Sequence, residues 1–169
     1  MYMFSGGTNF GFYNGSNCNP TFEPCITSYD YGAPVTECGD VTEQYYMLRK
    51  LLTGKTDKMP ERIKRAYGKV TEFKGASLFD NLDIIGKTHI SENAMTMEDL
   101  GQNFGYILYE MDIEGMSGDI DIGEPHDRAM FFDGNTLIGE YERGIDYKTV
   151  SVSGVNKLKI LVENMGRVN

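Results

Sequence analysis

The sequence predicts an α/β segment followed by an all-β domain. Three observations carry that expectation: a strand-like start that breaks into a long Gly- and Asn-rich loop, one amphipathic helix after it, and a second half of short alternating runs separated by turn signals. The elements follow in order along the chain.

Tyr2-Met3-Phe4 reads as the end of a buried strand, stopped by Gly6-Gly7. The stretch from there to about Gly39 exceeds the ~15 residues beyond which a structureless loop is usually functional or disordered. Its aromatics, Phe10, Phe12, Tyr13, Phe22, Tyr29 and Tyr31, argue against disorder, so a functional loop is expected. Asp40 then reads as the N-cap of a helix and Glu43 as the partner completing a capping box, with Val41, Tyr45, Leu48 and Leu52 forming the apolar face. Arg49, Lys50 and Lys55 suit the negative C-terminal end, and Gly54 suits the stop.

The charged stretch around Pro60 reads as a connection between domains. Beyond it, Tyr106–Tyr109, Ala129–Phe132, Thr149–Val152 and Leu158–Val162 all read as strands, and Asp133-Gly134-Asn135 as a hairpin turn. The second half is expected to be an antiparallel β-sandwich or jelly roll. The division expected is 1–55 for the first domain, 56–68 for the linker and 69–169 for the β-domain.

Composition excludes several function classes. A net charge of −9 repels phosphate backbones, so no nucleic-acid partner is expected. Apolar runs such as Ile160-Leu161-Val162 fall far short of the ~20 residues of a membrane helix, so no membrane partner is expected either. Cys18, Cys25 and Cys38 form neither a disulfide scaffold nor, with His89 and His126 far off, a zinc set; free thiols or one Cys18–Cys25 bridge are the readings left open. Asn14-Gly15-Ser16 matches a glycosylation acceptor, a short and weak signal. His126-Asp127 invites a dyad reading, but no nucleophile motif accompanies it and neighbours on a strand point to opposite faces, so a structural use is expected.

Three irregular motifs stand in register near the start: Met3-Phe4-Ser5-Gly6-Gly7-Thr8-Asn9-Phe10-Gly11, Thr27-Ser28-Tyr29-Asp30-Tyr31-Gly32-Ala33-Pro34 and Thr36-Glu37-Cys38-Gly39-Asp40. They resemble the last barrel strand and following loop of glycoside hydrolase family 35 β-galactosidases. Gln102–Tyr109, His126–Ala129 and Leu161–Asn169 resemble the β-domain that follows the barrel in the same family. The resemblance implies that 1–55 is the last β/α unit of a (β/α)8 TIM barrel and that both ends of the chain are internal to a larger protein.

The resemblance further implies a retaining enzyme acting on terminal β-linked galactose, with no metal and no organic cofactor. Its partners would be the β-galactoside substrate and the remainder of the parent chain. Retention needs two carboxyl groups about 5–5.5 Å apart, and the family carries both glutamates on earlier strands, so no catalytic residue is expected within these residues. Asp30, Glu37 and Asp40 are the acids nearest the loop and are expected to cap, turn or face solvent. Tyr2, Tyr29 and Tyr31 fall on positions that line the sugar pocket in the family. A tyrosine suits that task, since its ring packs on the C–H face of a pyranose and its hydroxyl bonds a sugar hydroxyl. Gly32 departs from the Asp usual there, which bears on the hydrogen bonding of the loop. The rival readings are a carbohydrate-binding β-module standing alone and a structural β-domain bracing a barrel without catalysis; a free binding module has no use for the strand, loop and helix that precede it.

Overall fold

The computed structural model describes residues 3–25, 31–145 and 149–168. They form two compact units, Met1–Asn9 with Ile26–Gly75 and Phe10–Cys25 with Ala76–Asn169.

The second unit is a β-domain. Strands β1 (Gly15–Cys18) and β2 (Phe22–Cys25) form a hairpin. Strands β3 (Gly105–Asp121), β4 (Arg128–Asp133), β5 (Thr136–Glu142) and β6 (Thr149–Asn164) form an antiparallel sheet in the order β3-β6-β4-β5. A two-residue strand β7 (Arg167–Val168) then runs parallel to β1. The hairpin expected at Asp133-Gly134-Asn135 joins β4 to β5, with Asp133 facing Thr136.

The two strands expected at Thr149–Val152 and Leu158–Val162 are one continuous strand. Its partner β3 shifts register between Asp112 and Gly118, so a bulge bends the ribbon without ending the pairing. The core gathers on the inner face of this bent sheet: Ala129, Phe131, Tyr141, Val150, Val152, Val155, Leu158 and Val162 are buried together. A Cβ added at Gly139 would meet the Val150 side chain at 3.5 Å, although β5 and β6 are not neighbours in the sheet. Each fully buried Val, Leu or Phe of that set contributes about 1.5–3 kcal/mol.

Residues 10–25, expected with the first domain as part of a long loop, pair instead within the second unit. Ser16 Oγ donates to the Gly166 carbonyl at 3.1 Å, and the Asn14 amide donates to the carbonyls of Met165 and Gly15. Asn14 is therefore buried and spent on backbone partners, which closes it as a glycosylation acceptor in the folded chain. Cys18 faces Phe22 and Cys25 faces Gly15 across the hairpin. Three residues of strand separate the two thiol positions by about 10 Å, beyond the ~7 Å between Cα atoms that a disulfide spans.

The first unit holds helix α1 (Glu43–Thr53), which stops as expected at Gly54 in the left-handed conformation. Its start differs from expectation. Thr42, not Asp40, is the N-cap residue, and no side chain caps the helix. The Asp40 carboxylate instead pairs with Lys64 and accepts the Cys38 thiol at 3.4 Å, an alternative partner strong enough to draw it from the helix end. Met3 and Phe4 form no strand; Ser5 makes a single parallel bridge to Val35. A strand exists only by pairing, and among the described residues no second strand lies beside this one to extend the ladder.

Candidate functional site

The chain between Tyr31 and α1 is a tightly bonded turn. The Val35 N–H donates to the Phe4 carbonyl at 3.1 Å, the Thr36 N–H to the Asp40 carbonyl at 2.9 Å, and both the N–H and hydroxyl of Thr42 to the Pro34 carbonyl at 3.0 Å. These bonds bury Ala33 and Pro34 and fix where the chain leaves Tyr31 relative to the helix.

Between them lies a hollow of about 450 Å³, lined by Tyr31, Pro34, Gln44, Met47, Leu48 and Leu51, within the range of small-molecule sites. Tyr31 is 76% exposed. Of the three tyrosines expected to line a sugar pocket, Tyr31 sits at this hollow, while Tyr2 and Tyr29 lie outside the described residues. Of the helix residues at the hollow, only Leu48 belongs to the apolar face expected from the sequence; Gln44, Met47 and Leu51 are not in it, although with Leu48 they recur at the i, i+3, i+4, i+7 spacing of one helix face. Apart from Leu48, the expected apolar face looks elsewhere: Tyr45 packs edge-on to Phe4 and to Tyr46, and Leu52 is 77% exposed.

The hollow offers an apolar floor, a phenol and a carboxamide. It can hold a ligand with a C–H face and hydroxyl groups. Among the described residues, no carboxylate lines it. Glu37 accepts the Thr8 hydroxyl at 3.4 Å, and Asp40 is occupied by Lys64. The hydrogen bonds from Lys64 and then Cys38 hold the Asp40 carboxyl below its ordinary range, so it stays ionised and has no proton to give. Asp30 lies outside the described residues.

His126-Asp127 is no dyad. His126 is exposed, whereas Asp127 is 2% exposed and bonded to Arg143 and to the Met165 N–H.

Residues 1–55 match the profile of "Glycosyl hydrolases family 35", and residues 94–169 match "Beta-galactosidase, first all-beta domain". The whole chain is 40% identical to the human protein "Beta-galactosidase-1-like protein 2" and covers 28% of it. It is also 40% identical to "Beta-galactosidase 8" of Oryza sativa subsp. japonica, covering 29% of that protein, and 37% identical to human "Beta-galactosidase", covering 27%. The chain thus spans under a third of the length of these relatives. With the two profiles matched in order and each of these relatives aligned across the entire sequence, the chain is similar over its whole length to β-galactosidases, and over residues 1–55 to glycoside hydrolase family 35.

Proposed function

We propose that the protein built from this chain is a retaining β-galactosidase that removes terminal non-reducing β-D-galactose. The observation that carries the reading is the similarity to β-galactosidases along the whole 169-residue chain. In this reading 1–55 is the last β/α unit of a TIM barrel, 56–68 a connection and 69–169 a jelly-roll-like β-domain. Active sites of such barrels sit at the C-terminal ends of the strands, where the turn carrying Tyr31 would stand. Tyr2, Tyr29 and Tyr31 bind the sugar, and the two carboxylates of the retaining reaction come from chain beyond these residues.

The test is Tyr31→Phe in the complete enzyme. If the hydroxyl bonds the galactose or a reacting carboxylate, its removal leaves a polar partner unpaired in the closed site. The expected loss is about 5- to 150-fold in kcat/KM at unchanged melting temperature. A change below about twofold would remove Tyr31 from the site.

A further inference from the structure

The second unit carries a separate aromatic surface. The rings of Tyr13 and Phe104 lie 4.4 Å apart, tilted by 43°, and Phe12 stands edge-on to Tyr106 at 5.3 Å. Residue 105, between two of these rings, is a glycine with φ of 94°, and a Cβ there would meet the Phe12 ring at 3.6 Å. That close backbone passage delivers Phe104 to Tyr13 and Tyr106 to Phe12 in one step.

Tyr13 is 70% exposed, Tyr106 41% and Phe104 37%. The polar rim is fixed. The Gln102 amide nitrogen donates to the carbonyls of Phe104 and Tyr106 at 2.9 and 2.7 Å, which leaves its side-chain oxygen as an acceptor for a ligand. Burial first, and then the neighbouring Glu163 carboxylate, push the Tyr106 hydroxyl above its ordinary pKa.

Two quantities choose the occupant. At about 200 Å² per ring, the exposed aromatic area is roughly 300 Å², well under the ~800 Å² per partner of a stable protein interface. The net charge of −9 disfavours an anionic ligand. What fits is a small neutral molecule with an apolar C–H face and hydroxyls at its edge. We propose that this surface is a saccharide-binding platform that takes a pyranose oligosaccharide, with Tyr13 and Phe104 stacking on the sugar and Gln102 accepting from a hydroxyl. It uses none of the residues at the Tyr31 hollow and does not depend on the catalytic reading.

Affinity electrophoresis tests it directly, with the 169-residue chain run through gels containing soluble β-galactan or, separately, mixed-linkage β-glucan. Retardation is expected in at least one, and the two arms identify the sugar. Tyr13→Ala should weaken retention up to about tenfold with little change in melting temperature, because the ring is mostly exposed. Gln102→Ala should weaken it as well. No retardation in either gel would overturn the proposal, as would retardation that both variants leave intact. So would a Tyr13→Ala variant that abolishes self-association without altering saccharide retention, since that outcome marks a contact between protein chains.

Discussion

Asp127 is the most heavily bonded buried acid of the β-domain, and its replacement by Asn has a calculable outcome. Oδ1 accepts from Arg143 Nη1 at 3.1 Å and Oδ2 from the Met165 N–H at 3.0 Å, while the backbone N–H of Asp127 donates to the Glu163 carbonyl and its own carbonyl accepts from the Arg143 N–H. One side chain thereby ties the entry to β4, the exit from β5 and the end of β6. Asparagine keeps the shape, but one of its two polar ends becomes a donor and must face either Arg143 or the Met165 N–H. A hydrogen bond to a charged group contributes about 1.5–3 kcal/mol, and breaking a buried pair costs about 3–5 kcal/mol. The Arg143 side chain is 26% exposed and regains some water, so the lower part of that range applies, about 2–3 kcal/mol. With a urea slope of about 1.5–2 kcal/mol per M, the midpoint should fall by about 1–2 M. Asp127→Asn combined with Arg143→Met should cost less than the sum of the two, with a coupling of at least about 1 kcal/mol. The measurement is urea unfolding followed by circular dichroism and by amide exchange in β4 and β6. Additive variants, or a single variant within about 0.5 kcal/mol of the parent, would refute the assigned role.

Gly144→Ala places a Cβ 2.5 Å from the Pro20 carbonyl oxygen at φ of 82°, so we expect a loss of about 2–4 kcal/mol and faster amide exchange in β1 and β2. Exchange in that hairpin unchanged from the parent would contradict it. Asp99 accepts the Thr96 N–H on its carboxylate at 3.0 Å and returns its own backbone N–H to the Thr96 hydroxyl at 3.1 Å; the Thr96 N–H first, and then the Thr96 side chain, hold its carboxyl below its ordinary 3.8. A depressed carboxyl stabilises the folded form above its ordinary pKa and loses that contribution as pH falls through the lowered value. Protection of the Leu100 and Gly101 amides, taken relative to their intrinsic exchange at each pH, should therefore fall below about pH 4, and a pH-independent protection would count against the cap. The isolated chain should release no galactose from aryl β-galactosides, because retention needs a carboxylate pair and none lies among the described residues of the hollow; release abolished by mutating Glu37 or Asp40 would overturn this. Trypsin should cut at Arg49, Lys50, Lys55 or Lys58 before cutting within β3 to β6, and mass spectrometry of the first fragments decides it.

Much of the β-domain is legible in its sequence because its signals are local. Alternation at Tyr106–Tyr109 and Ala129–Phe132 and the Gly134 turn need only neighbouring residues to be read. The β1–β2 hairpin is not, since its partner strand at Arg167–Val168 lies some 150 residues away, and Gly, Asn and Pro make its own residues look like loop. The bend in β3 and β6 hides for a similar reason: Ser151, Ser153 and Asn156 interrupt the apolar pattern at the bulge, and only the pairing partner reveals one strand. Asp40 shows the limit of a capping motif. The spacing to Glu43 is right, but a cation far along the chain, Lys64, competes for the same oxygen atoms. At the site, the motif points to the turn carrying Tyr31, while the helix face opposite it follows only from how that turn is hydrogen-bonded.

The two units differ in what they can hold together by themselves, and the difference bears on the site. The β-domain buries Phe131 and Leu158 almost completely and surrounds them with aliphatic side chains from four strands. Among the described residues of the first unit, Ala33 and Pro34 are the buried apolar groups, and no residue of α1 is buried. Two small side chains contribute far less than the ~1–2 kcal/mol per residue that ordering a backbone costs. Meanwhile Met47, Leu51 and Leu52 lie 64%, 80% and 77% exposed on an 11-residue helix, a length that is marginal in water without a packed face. The hollow beside Tyr31 is built from those same exposed groups, so its apolar lining is the part of the chain with most to gain from burial. A helix that presents its apolar side chains this way is suited to lie against further structure. In the β-galactosidase reading, the wall that covers it would also enclose the sugar over Tyr31, and closure of the site and stability of the unit would then rise and fall together.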